Sequence, residues 1–259
     1  MTAPHVSIII LTHNYPDIIS TCLRTLRTVT PQTPVSYEVV LVDNGSGSGY
    51  VDLLRRFKEM GAIDTLVEEP VNHFFSEGNN IGVRHSNPGS KYILLLNSDV
   101  AFLRPDWLDK LVQWMEGLPD TLRPSVWGLQ PAKPSPGPRD IVSIGWSYDA
   151  DIPSKVRPEG WCCMFRRRWW ADISADFPYY YGFEEMVAGR IRAGANCGVL
   201  SQYSPFLVHR EQGSRASQRA YQIVNKRTPD MKAWFSGLNV EPLDFTLGEE
   251  EHSSYLWWH

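Results

Sequence analysis

Apolar and polar positions alternate in blocks through the first hundred residues. Val6 to Leu11 is a nearly unbroken apolar run of strand length, and after Pro16 the positions Ile18, Ile19, Cys22, Leu23 and Leu26 recur at the spacing of a helix face. The alternation then repeats: a strand at 37–42, a Gly/Ser turn at 44–49, a helix turning Leu53, Leu54 and Phe57 inward, a short strand at 64–67, a helix at 77–85 and a fourth strand at 91–96. Three strand-helix-strand units in about 95 residues predict an α/β fold built on a parallel sheet with right-handed crossovers.

The fourth strand organises the rest. Tyr92 to Leu96 is apolar on every position, as in a strand buried on both faces, and it ends abruptly in Asn97, Ser98 and Asp99. Open α/β sheets bind their ligands at the carboxyl ends of such strands. A carboxylate there can hold a hard divalent cation, and an amide and a hydroxyl can bond a sugar or ribose hydroxyl. The same three residues also suit an Asx turn or a helix cap. Other predicted strands end alike, in Thr12-His13-Asn14 and in Asp43-Asn44, with Asn72, Asn79 and Asn80 after the third. Turn formers explain each singly; their coincidence on one edge favours a polar ligand lying across them. Gly45, Gly47 and Gly49 do not make a dinucleotide fingerprint, because the spacing is wrong and the acidic partner is missing, which disfavours a dehydrogenase.

Beyond residue 100 the pattern changes. Pro105 and Asp106 open a helix with Trp107, Leu108, Leu111, Val112 and Met115 on its apolar face. Residues 130–138 then carry four prolines in nine positions and read as a loop that separates two halves of the chain, with a first half of about 1–100 and a second of about 101–210. Residues 211–259 have basic positions, then Glu249 to Glu251 and a final aromatic cluster; they form a tail whose readings are a lid, an oligomer contact or disorder.

Composition narrows the partners. At 259 residues and 42% hydrophobic, the chain can bury a sizeable core, and a net charge of -4 without long basic runs argues against nucleic acid. The exception is Arg166-Arg167-Arg168, either a solvated turn or a contact for a pyrophosphate or other anion. No run approaches the length of a membrane span and no signal sequence is visible, so the expected location is the cytoplasm, with peripheral membrane association left open. Cys22, Cys162, Cys163 and Cys197 have no metal-finger spacing and read as buried thiols.

Four of these stretches, 6–14, 37–46, 72–82 and 92–100, resemble in order and spacing the family 2 glycosyltransferases of the GT-A fold, with the resemblance extending over about 6–210 and a rhamnosyltransferase-like branch open. It implies that Asp43 contacts the nucleotide base, that Thr12, Asn14 and Asn79 line the nucleoside pocket, and that Asp99, in the DxD position, is a metal ligand for Mn2+ or Mg2+. Asn97 replaces the first carboxylate of that motif and so becomes, with Ser98, a hydroxyl binder on the donor; His73 stands where a glycine is usual. The resemblance further implies that Trp161 stacks on an apolar sugar face and that Glu184-Glu185 is the acidic pair opening a helix above the site. Glu185 is the expected base, and His209 the late histidine near metal and diphosphate. Val187 replaces an aspartate of the family pattern.

The expected activity is transfer of a sugar from a nucleoside diphosphate donor of the UDP or dTDP type to a hydroxyl on a glycan, a lipid-linked or a small-molecule acceptor. Inversion at the anomeric carbon and metal dependence are expected with it. The alternatives are a nucleotidyltransferase, opposed by the missing Gly-rich phosphate loop near the first strand, and a non-catalytic binder of nucleotide sugar or glycan, suggested by Asn97 and Val187.

Overall fold

The computed structural model describes residues 3–30, 33–117, 137–144, 146–149, 152–179, 181–200, 207–210, 231–235, 237–238 and 240–242. Most of the proline-rich loop, residues 130–136, lies outside them, as does most of the tail after 210.

Among the described residues, eight strands form the central sheet. The first four, β1 (Val6–Thr12), β2 (Tyr37–Asn44), β3 (Thr65–Glu69) and β4 (Tyr92–Asn97), pair in parallel in the order β4-β1-β2-β3, linked by α1 (Pro16–Val29), α2 (Ser48–Glu59) and α3 (Phe74–Arg84). Alternate residues of β1 and β4 fall into two separate cores. Val6, Ile8, Ile10, Tyr92, Leu94 and Leu96 pack with α1, α2 and the helix α4 (Trp107–Glu116), whereas Ile9, Ile93 and Leu95 pack with α3 on the other face. Burial on both faces is what an uninterrupted apolar strand requires.

The helix α3 starts at Phe74, three residues before the predicted start. Asn72 Oδ1 accepts the Phe74 N–H at 2.7 Å, a local side-chain turn that lets the chain enter a helix with Phe74 itself in the left-handed region (φ 61°).

A short strand β5 (Val100–Phe102) follows the Asn97-Ser98-Asp99 turn, and after α4 the sheet is completed by β6 (Ile141–Ile144), β9 (Cys162–Arg166), β10 (Cys197–Leu200) and β12 (Val240–Pro242). Between them β7 (Trp146–Asp149) and β8 (Ile152–Pro158) make a separate antiparallel pair. Strand β11 (Leu207–His209) pairs antiparallel with β5, so His209 lies opposite Val100. Among the described residues this half carries the α-helices α5 (Gly182–Arg192) and the short α6 (Met231–Phe235). Cys162 and Cys163 point into opposite cores, and all four cysteines are free and buried; burial pushes the Cys22 and Cys197 thiols up to about 12.

Strand β9 departs from the parallel rule and determines two placements. It runs antiparallel to β4, with Tyr92 opposite Arg166 and Leu96 opposite Cys162. Trp161 is thereby delivered to the ligand edge beside Asn97, whose N–H it accepts at 2.8 Å. The arginine cluster goes to the opposite edge, away from the polar strand ends, and the solvated-turn reading holds for Arg168 but not for Arg166 and Arg167. Arg166 bonds the Met115 carbonyl at 2.6 Å and the Arg139 carbonyl at 2.7 Å, and Arg167 reaches Ser86 Oγ at 2.8 Å and Ser90 Oγ at 2.6 Å. These two are structural cross-links at the amino end of the parallel strands; only Arg168 is exposed, paired with Asp140 at 3.0 Å.

At that same edge Glu116 accepts bonds from Lys91 and from the Tyr92 hydroxyl, with Arg166 at 3.5 Å. Burial alone would raise its carboxyl, but the Lys91 and Tyr92 bonds outweigh it and hold it at about 2 against an ordinary 4.5. A depressed folded value means stability that is present above 4.5 and lost as pH falls toward 2. Because the carboxylate is partly solvated, Glu116→Gln is expected to cost only about 1 kcal/mol at pH 7. Urea denaturation of both proteins between pH 7 and pH 3 should show that gap narrowing; a gap constant with pH would contradict the assignment.

Candidate active site

The carboxyl ends of the central strands are level. Leu11 lies opposite Asn97 on one side and Val42 on the other, and Thr12 lies opposite Asp43. With strands about 4.8 Å apart, the ends of β4 and β2 are about 10 Å from one another, the span of a small polar ligand.

Asp43 is 1% exposed; its Oδ2 accepts the Ser46 N–H at 3.3 Å, and its Oδ1 is sealed from water with no hydrogen-bond partner among the described residues. A buried carboxylate oxygen left this way costs free energy unless a ligand donor completes it. Next to it, Thr12 shares a short hydrogen bond with Tyr50, and Asn14 Oδ1 accepts the Gly47 N–H at 3.0 Å while its own N–H donates to Ser46 Oγ at 3.0 Å. Asn14 therefore clamps the turn after β2 to the end of β1. His13 Nδ1 is a second sealed atom here with no hydrogen-bond partner among the described residues. Asn44 serves the scaffold: its amide donates to Asn72 Oδ1 and Phe74 O and accepts from His73 N, fastening the loop after β3. Gly45 makes that crossing possible, since with φ 76° a Cβ there would lie 2.5 Å from the Val71 carbonyl carbon. Asn79 is buried in α3 and donates to the Phe75 carbonyl at 2.8 Å; Asn80 is bonded both ways to Ile173, at 3.0 and 2.8 Å.

At the end of β4, Asn97, Ser98 and Asp99 are half-buried in the turn into β5. The β5/β11 pair returns His209 to this turn, and Arg210 N–H donates to the Asp99 carbonyl at 2.9 Å. As a result His209 Nε2 faces Asp99 Oδ1 at 3.1 Å, with side-chain exposures of 19% and 12%. Close as they are, the two atoms lack hydrogen-bond geometry with each other, and both are sealed from solvent without a hydrogen-bond partner among the described residues.

An oxygen and an imidazole nitrogen converging this way fit a divalent cation. In an octahedral site with bonds of about 2.1 Å, adjacent ligand atoms are about 3.0 Å apart. Mg2+ sites commonly take one or two protein ligands and complete the shell with substrate phosphate and water. Among the described residues no group of three or more His, Cys, Asp or Glu side chains converges, so a cation at this place would have two protein ligands rather than a closed cage.

Trp161 is 4% exposed, and one face of its indole is stacked on His209, with centroids 4.7 Å apart and planes 2° from parallel. Its Nε1–H donates to Glu159 Oε2 at 3.0 Å.

The acidic pair lies where α5 begins. Tyr181 precedes the helix in the left-handed region (φ 71°), Tyr181 O accepts the Glu185 N–H at 2.8 Å, and Glu184 and Glu185 are both half-buried in the first turn. Gly182 permits a tight approach, since a Cβ would lie 2.8 Å from Ile173 Cγ2. Gly160 packs on the Phe183 ring, where a Cβ would come within 3.1 Å, so the start of α5 is seated against the chain entering Trp161. Neighbouring helix positions diverge by about 100°, so the two carboxylates point apart. Val187 is fully buried. A cleft of about 360 Å3 runs between Asn72, His73, Phe74 and the segment Ala175, Asp176 and Pro178.

Tyr50 and Glu159 are absent from the sequence-level set. Tyr50 has the spacing of a core helix residue, and Glu159 is visible in the sequence only as the first residue of the stretch 159–166 that resembles the family's strand beneath the sugar. His13 was visible only as part of a polar strand end.

Residues 7–124 match the family model described as glycosyl transferase family 2. No curated protein matches significantly. Among solved structures, the mannosyltransferase PcManGT from Pyrobaculum calidifontis, in complex with GDP-Man and Mn2+, aligns with a TM-score of 0.58 at 17% identity, covering 91% of this chain and 68% of that one. TarS of S. aureus aligns with a TM-score of 0.55 at 12% identity over 88% of this chain and 41% of its own. GalNAc-T7 with UDP, GalNAc and Mn2+ gives 0.55 at 12% identity over 75% and 42%. The chain thus spans under half the length of the latter two, and at such identities the likeness is one of fold. That fold is GT-A, and residues 7–124 are similar to the glycosyl transferase family 2 model.

Proposed function

We propose that the protein transfers a sugar from a nucleoside diphosphate sugar to an acceptor hydroxyl, with inversion at the anomeric carbon and dependence on a divalent cation, Mn2+ or Mg2+. The observation that carries this reading is the pair of sealed, unpartnered ligand atoms, Asp99 Oδ1 and His209 Nε2, 3.1 Å apart at the carboxyl edge of the sheet. The Mn2+ in the structures of the mannosyltransferase and of GalNAc-T7, and their nucleotide ligands, support it.

In this reading Asp43 Oδ1 accepts an N–H from the base, with Thr12, Asn14 and Asn79 shaping the nucleoside pocket around it. Asn97 and Ser98 bond donor hydroxyls, and Asp99 and His209 would hold the cation. When bound there, the cation supplies positive charge that offsets the charge gathering on the departing diphosphate. Glu185 takes the proton of the acceptor hydroxyl as its oxygen bonds the anomeric carbon. The bond from that carbon to the phosphate oxygen breaks on the opposite face, and its electron pair leaves with the nucleoside diphosphate. The carbon passes through an oxocarbenium-like state, and no covalent enzyme intermediate is needed.

The donor is expected to be of the UDP or dTDP type, since a pyrimidine N–H suits a single carboxylate acceptor. Asp43→Ala should weaken uridine or thymidine diphosphate binding by about 1 to 3 kcal/mol, the range for a charge-assisted hydrogen bond. Calorimetric titration measures it, and an unchanged dissociation constant would refute the base contact. The activity itself is tested by incubating a panel of nucleotide sugars with the protein, with and without Mn2+, and identifying the phosphate product released.

A further inference from the structure

We propose that Trp161 is the positioning residue of the metal centre: its indole face fixes the plane of the His209 imidazole, so that Nε2 is held toward Asp99 before any cation arrives. The inference rests on the metal reading above and extends it to a residue that the reading gives no part in holding the cation.

Two bonds and one stack carry it. The imidazole lies parallel to the indole within 2° at 4.7 Å, whereas the ring torsion of a histidine is otherwise broad and poorly defined. The indole is itself fixed, because Glu159 Oε2 accepts its Nε1–H at 3.0 Å and the ring is 4% exposed within the core. The backbone of the same residue grips the other limb of the site, since Trp161 O accepts the Asn97 N–H at 2.8 Å, two residues before Asp99. One residue therefore sets the spacing between the strand that carries the carboxylate and the ring that carries the nitrogen. The stack also gains from occupancy. A metal-bound imidazole is electron-poor, and tryptophan has the best aromatic face for a cationic partner. A second residue that orients a ligand in this way is typically worth about 10- to 100-fold in metal affinity.

The test is Mn2+ titration of the full chain in the presence of uridine diphosphate, with free Mn2+ read by electron paramagnetic resonance and bound nitrogen read by electron spin-echo modulation. Wild type, Trp161→Phe, Trp161→Leu and His209→Ala are compared. Trp161→Phe keeps an aromatic face and should bind Mn2+ within a few-fold of wild type. Trp161→Leu should weaken Mn2+ by about 10- to 100-fold and reduce the imidazole nitrogen modulation, while uridine diphosphate affinity without metal changes less than about twofold, since the Asp43 pocket is untouched. If circular dichroism shows that the leucine variant does not fold, Trp161→Met, which fills a core gap flexibly, replaces it. The proposal is overturned if the folded leucine or methionine variant binds Mn2+ as wild type does with nitrogen modulation intact while His209→Ala loses both. If His209→Ala binds Mn2+ as wild type does, the metal role of His209 fails first, and the proposal with it.

Discussion

Asp99→Asn is expected to abolish the enhancement of nucleoside diphosphate binding by Mn2+ while leaving the fold intact. The side chain keeps its size, and its carboxylate sits in a turn rather than in either core, so the sheet loses nothing by the exchange. What changes is the site. With Asn97 already an amide, Asp99 is the one carboxylate of the Asn97-Ser98-Asp99 turn, and its Oδ1 faces His209 Nε2 at 3.1 Å. Removing that charge leaves a neutral amide and a neutral imidazole to hold a hard cation, which prefers anionic oxygen. Metal affinity should fall by at least about 100-fold, more than the loss of an outer partner brings. Turnover should fall with it, since the charge on the departing diphosphate would then lack its counter-charge. Calorimetry of nucleoside diphosphate with and without Mn2+ measures this; equal metal enhancement in mutant and wild type would refute the ligand assignment.

Glu185→Gln is expected to cut turnover by about 10² to 10⁴ with donor affinity nearly intact, because the loss falls on the transition state alone. Glu184→Gln should have a smaller effect. The two residues share the first turn of α5 and point apart, so only one can meet the acceptor hydroxyl. The measurement is kcat and donor Kd for both mutants at one pH. If Glu184→Gln abolishes turnover and Glu185→Gln does not, the roles are exchanged; if neither does, the pair only starts the helix and the base lies elsewhere.

The parallel half was legible because its signals are local. Tyr92 to Leu96 could be read as a strand buried on both faces from five consecutive residues, and it is one. The polar strand ends were legible for the same reason, since a side chain after a parallel strand must emerge at the ligand edge. The direction of β9 was not. Nothing in Cys162 to Arg166 states that the strand runs against β4, and that direction alone sends Trp161 to the site and Arg166 and Arg167 to the far edge. His209 was found as a late histidine, but its approach to Asp99 depends on the β5/β11 pairing across about a hundred residues of sequence. The two strands are three residues each, too short to carry a period. The tail offered no pattern, yet Val240–Pro242 forms an edge strand beside β10, a pairing decided by the sheet it joins.

The central claim is transfer from a nucleoside diphosphate sugar assisted by a divalent cation. It is tested most directly by the product released when the wild-type chain is incubated with nucleotide sugars and Mn2+ without an acceptor. Slow formation of nucleoside diphosphate and free sugar, suppressed by chelation of the metal, is the predicted result. Release of pyrophosphate instead, or no turnover of any donor that binds, would contradict it.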